Sequence, residues 1–150
     1  MTSHHSAYTQ SNGNSVPVSL WICITCRSSL APSAAPTMTT DGRELFDLVC
    51  LQHNTHPEAE LVTLQPVECM GGCDKGCTAS IGAPGKYSYL FGELKPTTEH
   101  AIAMFDCALL LGQQAGPLLG RIHRPALLRD SLLGRIPPIP LRISKEINYE

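Results

Sequence analysis

Hydrophobic and polar residues alternate along several short stretches of the chain, which predicts half-buried strands. The first predicted strand covers residues 16 to 24 and ends beside Cys23. The second covers residues 60 to 67, with Pro66 near its end. Residues 78 to 81 and 86 to 91 flank a turn that contains two glycines and a proline, and they are predicted to pair as a β-hairpin.

Two other stretches repeat apolar residues at helical spacing. A first helix is predicted to begin at Asp41, which has capping-box spacing to Glu44, and to end at about His53. A second helix is predicted to follow a cap at Thr97 or Thr98 and to stop at Gly112. The expected core-facing residues are Leu45, Leu48 and Val49 in the first helix, and Ile102, Phe105, Ala108 and Leu109 in the second.

The predicted order of elements is β-α-β-β-β-α, which indicates an α/β protein of thioredoxin-like architecture. We expect a small mixed sheet with helices packed on it, free to cover both faces. The domain is predicted to span residues 16 to 116, after a flexible N-terminal tail of residues 1 to 15. A Pro-containing loop is predicted for residues 27 to 40. Residues 117 to 150 are expected to form a basic, Leu- and Pro-containing tail with at most one short helix.

The length of 150 residues fits about one domain. A hydrophobic fraction of 43% with 16% charged residues excludes fibrous, mostly disordered and membrane-spanning classes. The longest apolar stretch, residues 101 to 111, contains Asp106 and is too short to cross a bilayer. Because residues 1 to 15 lack the pattern of a secretory signal, we expect a cytoplasmic protein that does not bind membranes.

The charge is divided unevenly along the chain. Residues up to Gly120 include five basic and ten acidic residues, whereas the rest includes six basic and three acidic ones. The acidic part argues against nucleic-acid binding, which needs clustered Lys and Arg. The basic tail is expected either to pack back on the acidic domain or to dock a partner protein.

Seven cysteines are the strongest chemical signal in the sequence. Cys23 and Cys26 form one close pair and Cys69 and Cys73 another, and each pair follows a predicted strand. Four thiolates that converge can hold a [2Fe-2S] cluster or a structural zinc ion.

Glycines accompany the second pair at Gly71, Gly72 and Gly76. They would let the backbone of this loop approach a cluster and donate N-H groups to its sulfides. The remaining cysteines of the predicted helices, Cys50 and Cys107, lie on apolar faces and are expected to pack as small hydrophobic residues.

The segment Cys69-Met-Gly-Gly-Cys-Asp-Lys-Gly-Cys-Thr78, together with the hairpin and Tyr89-Leu-Phe-Gly-Glu-Leu94, resembles the thioredoxin-like [2Fe-2S] ferredoxins. It is also similar to the related small iron-sulfur subunit of NADH dehydrogenases. The chain looks closest to an uncharacterised bacterial family of predicted metal-binding, ferredoxin-like proteins. That family carries Cys-x-x-Cys-Arg near its start and Cys-x3-Cys-x3-Cys-Thr before a Pro-Gly-Lys hairpin, as residues 23 to 27, 69 to 78 and 84 to 87 do here.

The resemblance implies a [2Fe-2S] cluster held by Cys23, Cys26, Cys69 and Cys73. The first pair is spaced more tightly than in the ferredoxins, and Cys77 stands where the respiratory subunit has proline, so Cys77 is an alternative ligand. The resemblance further implies an electron carrier rather than an enzyme, with redox proteins as partners and a link to cobalamin metabolism. Ferredoxins of this fold can form homodimers.

Two alternatives stay open from the residues alone. A zinc-binding structural or interaction module would use the same four cysteines, although the usual zinc-ribbon spacing is not met. A thiol-disulfide oxidoreductase would use only Cys23 and Cys26. The predicted helix begins well after that pair, whereas a reactive dithiol of this type needs a helix N-terminus beside it.

Overall fold

The computed structural model of the protein describes residues 15–27 and 39–140. The N-terminal tail predicted for residues 1 to 15 lies outside the described residues except for Ser15. Most of the loop predicted for residues 27 to 40 and the final segment, residues 141–150, also lie outside them.

A single sheet of five strands forms the centre of the described fold, in the spatial order β2-β1-β3-β4-β5. Strand β1 pairs with β2 in parallel, and the other three pairings are antiparallel. The predicted mixed α/β sheet and its element order are therefore confirmed through the second helix. The strands are β1 (Val18–Cys23), β2 (Val62–Val67), β3 (Ala79–Gly82), β4 (Ser88–Phe91) and β5 (Leu132–Ile136).

The two helices, α1 (Asp41–Thr55) and α2 (Thr98–Gln113), pack against each other and against the central strands. Both helices therefore lie on the same face of the sheet, whereas the sequence allowed them to cover either face. The strand residues on that face, such as Leu20, Ile22 and Ile81, are fully buried, whereas Trp21 on the opposite face is only half-buried. Neither helix is both long and apolar enough to span a bilayer within the described chain.

Threonines cap the N-termini of both helices. The predicted cap at Thr97 is confirmed, since its side chain accepts a hydrogen bond from the His100 N-H at 3.3 Å. The predicted capping box beginning at Asp41 is wrong. Thr40 caps α1 by accepting from the Arg43 N-H at 3.1 Å, which leaves Asp41 as the first helical residue.

The prediction that α2 stops at Gly112 is also wrong, because the helix continues to Gln113. Gly112 instead marks a close approach between α2 and the start of β1: a Cβ at this position would lie 2.7 Å from the Val16 carbonyl oxygen. Lys86 caps the helix from the hairpin, since its buried ammonium group donates to the Leu111 carbonyl at 2.7 Å. Tertiary contacts therefore determine where this helix ends.

The described part of the C-terminal segment, residues 117–140, belongs to the fold and contains two short 3-10 helices and a strand, so the prediction of at most one short helix is wrong. Strand β5 pairs with β4, and the sheet thus continues beyond residue 116. Before β5, Leu119 and Leu128 are buried in the core. The Leu119 N-H donates to the buried Tyr89 hydroxyl at 2.7 Å. The segment therefore packs on the domain through a strand and buried leucines; the expected pairing of its arginines with the acidic domain is not seen among the described residues, where Arg121 pairs with Asp130 of the same segment.

Two adjacent leucines of the C-terminal segment provide a matched test of this packing. Leu128 is fully buried, whereas Leu127 is 48% exposed in the same turn. Leu128→Ala should lower the free energy of unfolding by about 2–5 kcal/mol, because it leaves a cavity in the core. Leu127→Ala should change it by at most about 0.5 kcal/mol. Urea unfolding of both variants measures the difference, and equal small effects would contradict the packing of this segment.

Candidate metal centre

The two predicted cysteine pairs follow the ends of neighbouring parallel strands. Strand β1 ends at Cys23, which lies in register with Val67 at the end of β2. The Ile24 N-H donates to the Val67 carbonyl at 2.9 Å, so the pairing continues just beyond the strand. Because parallel strands end at the same edge of a sheet, the two cysteine-bearing loops leave the fold side by side.

The first pair lies close together and is buried. The Cys23 and Cys26 sulfur atoms are 3.1 Å apart, and both residues are at most 4% exposed. Burial opposes the thiolate of Cys23, but hydrogen bonds from Thr25 and Cys26 outweigh it and lower the pKa of Cys23. Burial raises the pKa of Cys26, against a hydrogen bond from the Thr78 hydroxyl at 3.5 Å. The pair is thus suited to share one negative charge.

The second pair lies at the surface. The Cys69 and Cys73 sulfur atoms are 3.9 Å apart, and both residues are exposed. The Gly71 N-H donates to the Cys69 sulfur at 3.3 Å, and Gly71 has a positive φ of 75°, which favours glycine. The contact with Cys69 raises the pKa of Cys73.

The Glu68 carbonyl, just before Cys69, is the acceptor of hydrogen bonds between the two loops. The Cys23 thiol donates to the Glu68 carbonyl at 3.4 Å, and the Thr25 hydroxyl donates to the same oxygen. Even so, the described residues contain no group of three or more Cys, His, Asp or Glu side chains that could hold one metal ion. The structure therefore presents two separate thiol pairs on adjoining loops.

Cys77, the predicted alternative ligand, lies in a different environment. Its backbone exchanges two hydrogen bonds with Leu94, and its side chain is fully buried. Burial raises the pKa of Cys77 to about 12, with a further contribution from Asp41. No thiol contact within hydrogen-bonding distance links Cys77 to either pair among the described residues.

Two glycines pack closely against the backbone of the first pair. A Cβ at Gly42, in the first turn of α1, would lie 2.0 Å from the Cys23 carbonyl oxygen. A Cβ at Gly76 would lie 2.3 Å from the Arg27 carbonyl oxygen. The Gly42 N-H also donates to the Cys26 carbonyl at 2.9 Å. Gly76, which was predicted to let the backbone approach a cluster, lies against the turn that carries Cys26.

Gly42 is the residue of this site that the sequence analysis missed. A glycine in the first turn of a predicted helix costs about 1 kcal/mol relative to alanine. Such an unfavourable residue could have indicated a close contact, but not with which segment.

Within residues 15–27 and 39–140, the other cysteines and histidines form no metal-binding group with these loops. Cys107 is fully buried, as predicted, and burial raises its pKa to about 12. Cys50 is only half-buried, and burial raises its pKa as well. His53 Nε2 lies 2.8 Å from the Val62 carbonyl oxygen, and His100 Nδ1 lies 3.1 Å from the Thr97 hydroxyl. These rings have hydrogen-bonding roles in the fold.

Comparison with solved structures defines the fold class. The chain is similar to a thioredoxin-like [2Fe-2S] ferredoxin from Aquifex aeolicus, with a TM-score of 0.52 and 16% identity over 82% of this chain and 96% of that one. A second structure, of the wild-type thioredoxin-like [2Fe-2S] ferredoxin from Aquifex aeolicus, matches with a TM-score of 0.47 and 20% identity over 67% and 92% of the respective chains. The first of these matches confirms the predicted thioredoxin-like fold.

The family model described as "Protein of unknown function (DUF1636)" matches residues 20–138. The chain belongs to that family. No curated protein matches the chain by sequence.

The glycine contact with the first cysteine pair is testable by adding one methyl group. Gly42→Ala should destabilise the protein by about 1–3 kcal/mol, because the new Cβ overlaps the Cys23 carbonyl. Helix propensity alone predicts the opposite sign, a gain of about 1 kcal/mol. Gly116→Ala, where nothing lies within 4 Å, is the control. Thermal or urea unfolding measures both, and a stabilised Gly42→Ala would contradict the contact.

Thiol reactivity should follow burial. In the reduced, metal-free protein at pH 8, iodoacetamide should label the exposed Cys69 and spare Cys77. A pKa of about 12 leaves on the order of one Cys77 thiol in ten thousand ionised at that pH. Mass spectrometry of the digested protein locates the label, and labelling in urea shows that every thiol can react once exposed. Equal labelling of both residues in the folded protein would contradict this arrangement.

Proposed function

We propose that this protein is a one-electron carrier that holds a [2Fe-2S] cluster with the thiolates of Cys23, Cys26, Cys69 and Cys73. The observation that carries this proposal is the position of the two thiol pairs on adjoining loops at one edge of the sheet. The likeness of the fold to thioredoxin-like [2Fe-2S] ferredoxins supports it.

The separation within the exposed pair fits two thiolates on one tetrahedral metal ion. With metal-sulfur bonds of about 2.3 Å, two such sulfur atoms lie about 3.8 Å apart. The Cys69 and Cys73 sulfur atoms are 3.9 Å apart, and the Cys23 and Cys26 sulfur atoms, at 3.1 Å, would have to separate slightly. Two pairs of donors suit a group with two metal ions, whereas a single zinc ion needs four donors around one point. The donor set therefore fits the iron-sulfur cluster better than zinc.

The bound cluster would supply reversible transfer of one electron. Around it, this chain provides a buried side and an exposed side. The buried pair excludes water from one half of the site, while the exposed pair brings the other half to the surface, where a redox partner can approach. The Gly71 N-H already donates to the Cys69 sulfur, and such a hydrogen bond stabilises added negative charge on a thiolate.

The proposed role follows from this arrangement. The protein would pass electrons between redox proteins in the cytoplasm without turning over a substrate itself. The link to cobalamin metabolism implied by the sequence motifs is part of this proposal: the acceptor would be an enzyme of that metabolism.

A thiol-disulfide oxidoreductase is the second candidate, and the Cys23-Cys26 geometry favours it. Their sulfur atoms are 3.1 Å apart, and the pKa of Cys23 is lowered. In that reaction the two thiols would form a disulfide and pass two electrons and two protons to the disulfide of a substrate protein, which becomes a dithiol. Cys69 and Cys73 would have no part in it.

Purification without oxygen distinguishes these functions. A brown protein with absorption bands in the visible range and about two irons and two sulfides per chain supports the electron carrier. A colourless protein with one zinc ion supports the structural module. A colourless, metal-free protein that reduces disulfides through Cys23 supports the oxidoreductase, and either of the last two results would overturn the proposal.

Single substitutions test the proposed ligands. Replacing any one of the four ligand cysteines by serine should lower the iron and sulfide content by half or more, because one iron loses a thiolate. Cys50→Ser and Cys107→Ser are matched controls that should leave the iron content unchanged. Iron and sulfide analysis together with the visible spectrum measures each variant.

Cys77→Ser decides the ligand assignment. Because Cys77 is fully buried and its backbone is paired with Leu94, this variant should keep its cluster. Loss of the cluster in Cys77→Ser, combined with its retention in Cys26→Ser or Cys73→Ser, would show that Cys77 replaces that residue as a ligand.

A further inference from the structure

A cavity lies between α2 and the C-terminal segment, and no cysteine lines it. Its volume is about 290 Å³. Asp106 and Leu110 of α2 form one wall, and the C-terminal segment contributes three basic residues, His123, Arg124 and Arg129. None of these residues takes part in the proposed electron carrier.

Arg124 is buried in this cavity without full compensation of its charge. The residue is 4% exposed, and its Nε atom has no hydrogen-bond partner among the described residues. None of the ion pairs found in residues 15–27 and 39–140 includes Arg124 or Arg129. Burying a charged group is costly unless it is paired, so a partner for this guanidinium is expected.

The backbone holds both arginines in fixed positions. The Arg124 Nη2 donates to the Arg129 carbonyl at 3.3 Å, and the Arg129 Nε donates to the Arg124 carbonyl at 3.2 Å. The Arg129 Nη2 donates to the Ile122 carbonyl at 3.2 Å as well. These reciprocal contacts keep two like charges in one small cavity. Their mutual repulsion disfavours the arrangement unless an anion lies near them.

We propose that this cavity binds a small molecule bearing a phosphate group, held by Arg124 and Arg129. The guanidinium N-H groups that the backbone carbonyls leave free, among them the Arg124 Nε-H, can donate to the oxygens of a phosphate. A volume of about 290 Å³ is at the lower end for ligand pockets, which suits inorganic phosphate or a small phosphate ester and excludes a dinucleotide. The Asp106 carboxyl on the opposite wall can accept a hydrogen bond from a hydroxyl group of the ester.

Substitution of Asp106 should change the affinity for phosphate in the opposite direction to substitution of an arginine. Its carboxylate repels a bound phosphate, so Asp106→Asn should tighten binding of inorganic phosphate by about threefold or more. Arg129→Gln removes a charged donor and should weaken binding by about tenfold or more. Arg43→Gln, which removes an exposed arginine on α1, is the matched control and should bind as the wild type does.

The experiment is calorimetric titration of the full-length protein with inorganic phosphate and, separately, with glycerol 3-phosphate, with chloride at equal ionic strength as the blank. We expect saturable binding with a Kd below about 1 mM in the wild type. Tighter binding of glycerol 3-phosphate than of inorganic phosphate assigns the site to a phosphate ester, and the reverse assigns it to free phosphate.

Two results would overturn this proposal. Binding no stronger than that of chloride shows that the cavity is not a phosphate site. Equal affinity in the wild type, Arg129→Gln and Asp106→Asn indicates an adventitious ion only. If Arg129→Gln does not fold, Asp106→Asn still decides, since only a phosphate in this cavity responds to loss of that carboxylate. The iron content of the protein plays no part in this readout.

Discussion

The parallel pairing of β1 with β2 is the constraint on which the candidate metal centre depends. Parallel strands require a crossover, which α1 provides, and they end at the same edge of the sheet. Cys23 and Val67 are in register, so the loops that follow them leave the fold side by side. Cysteines separated by more than forty positions therefore lie on adjoining loops.

The backbone contacts around the first pair make the site asymmetric. Gly42 and Gly76 pack directly on the turn that carries Cys23 and Cys26, and both cysteines are buried there. The second pair extends from the sheet on a loop whose sulfur atoms are exposed. An electron carrier benefits from both features, because a rigid, dry side limits rearrangement and an exposed side lets a partner approach.

The C-terminal segment contributes to both the candidate metal centre and the proposed phosphate site. Strand β5 adds to β4, and Leu133 approaches Gly72 in the loop of the second cysteine pair. The turns before β5 place Arg124 and Arg129 in one cavity with Asp106 and Leu110 of α2. One segment thus supports the candidate metal centre and forms the wall of the proposed phosphate site.

The sequence by itself determined the local features. Alternation predicted β1 to β4, helical spacing predicted α1 and α2, and the cysteine spacing predicted which thiols would pair, since each of these depends on neighbouring residues. Only the tertiary structure decided the rest. Strand β5 forms because β4 offers a free edge. The start of β1 approaches α2 so closely that position 112 has no room for a side chain. Position 42 must be glycine because the Cys23 carbonyl, nineteen positions earlier in the sequence, lies against it. Such contacts depend on residues distant in sequence, which leave no local pattern.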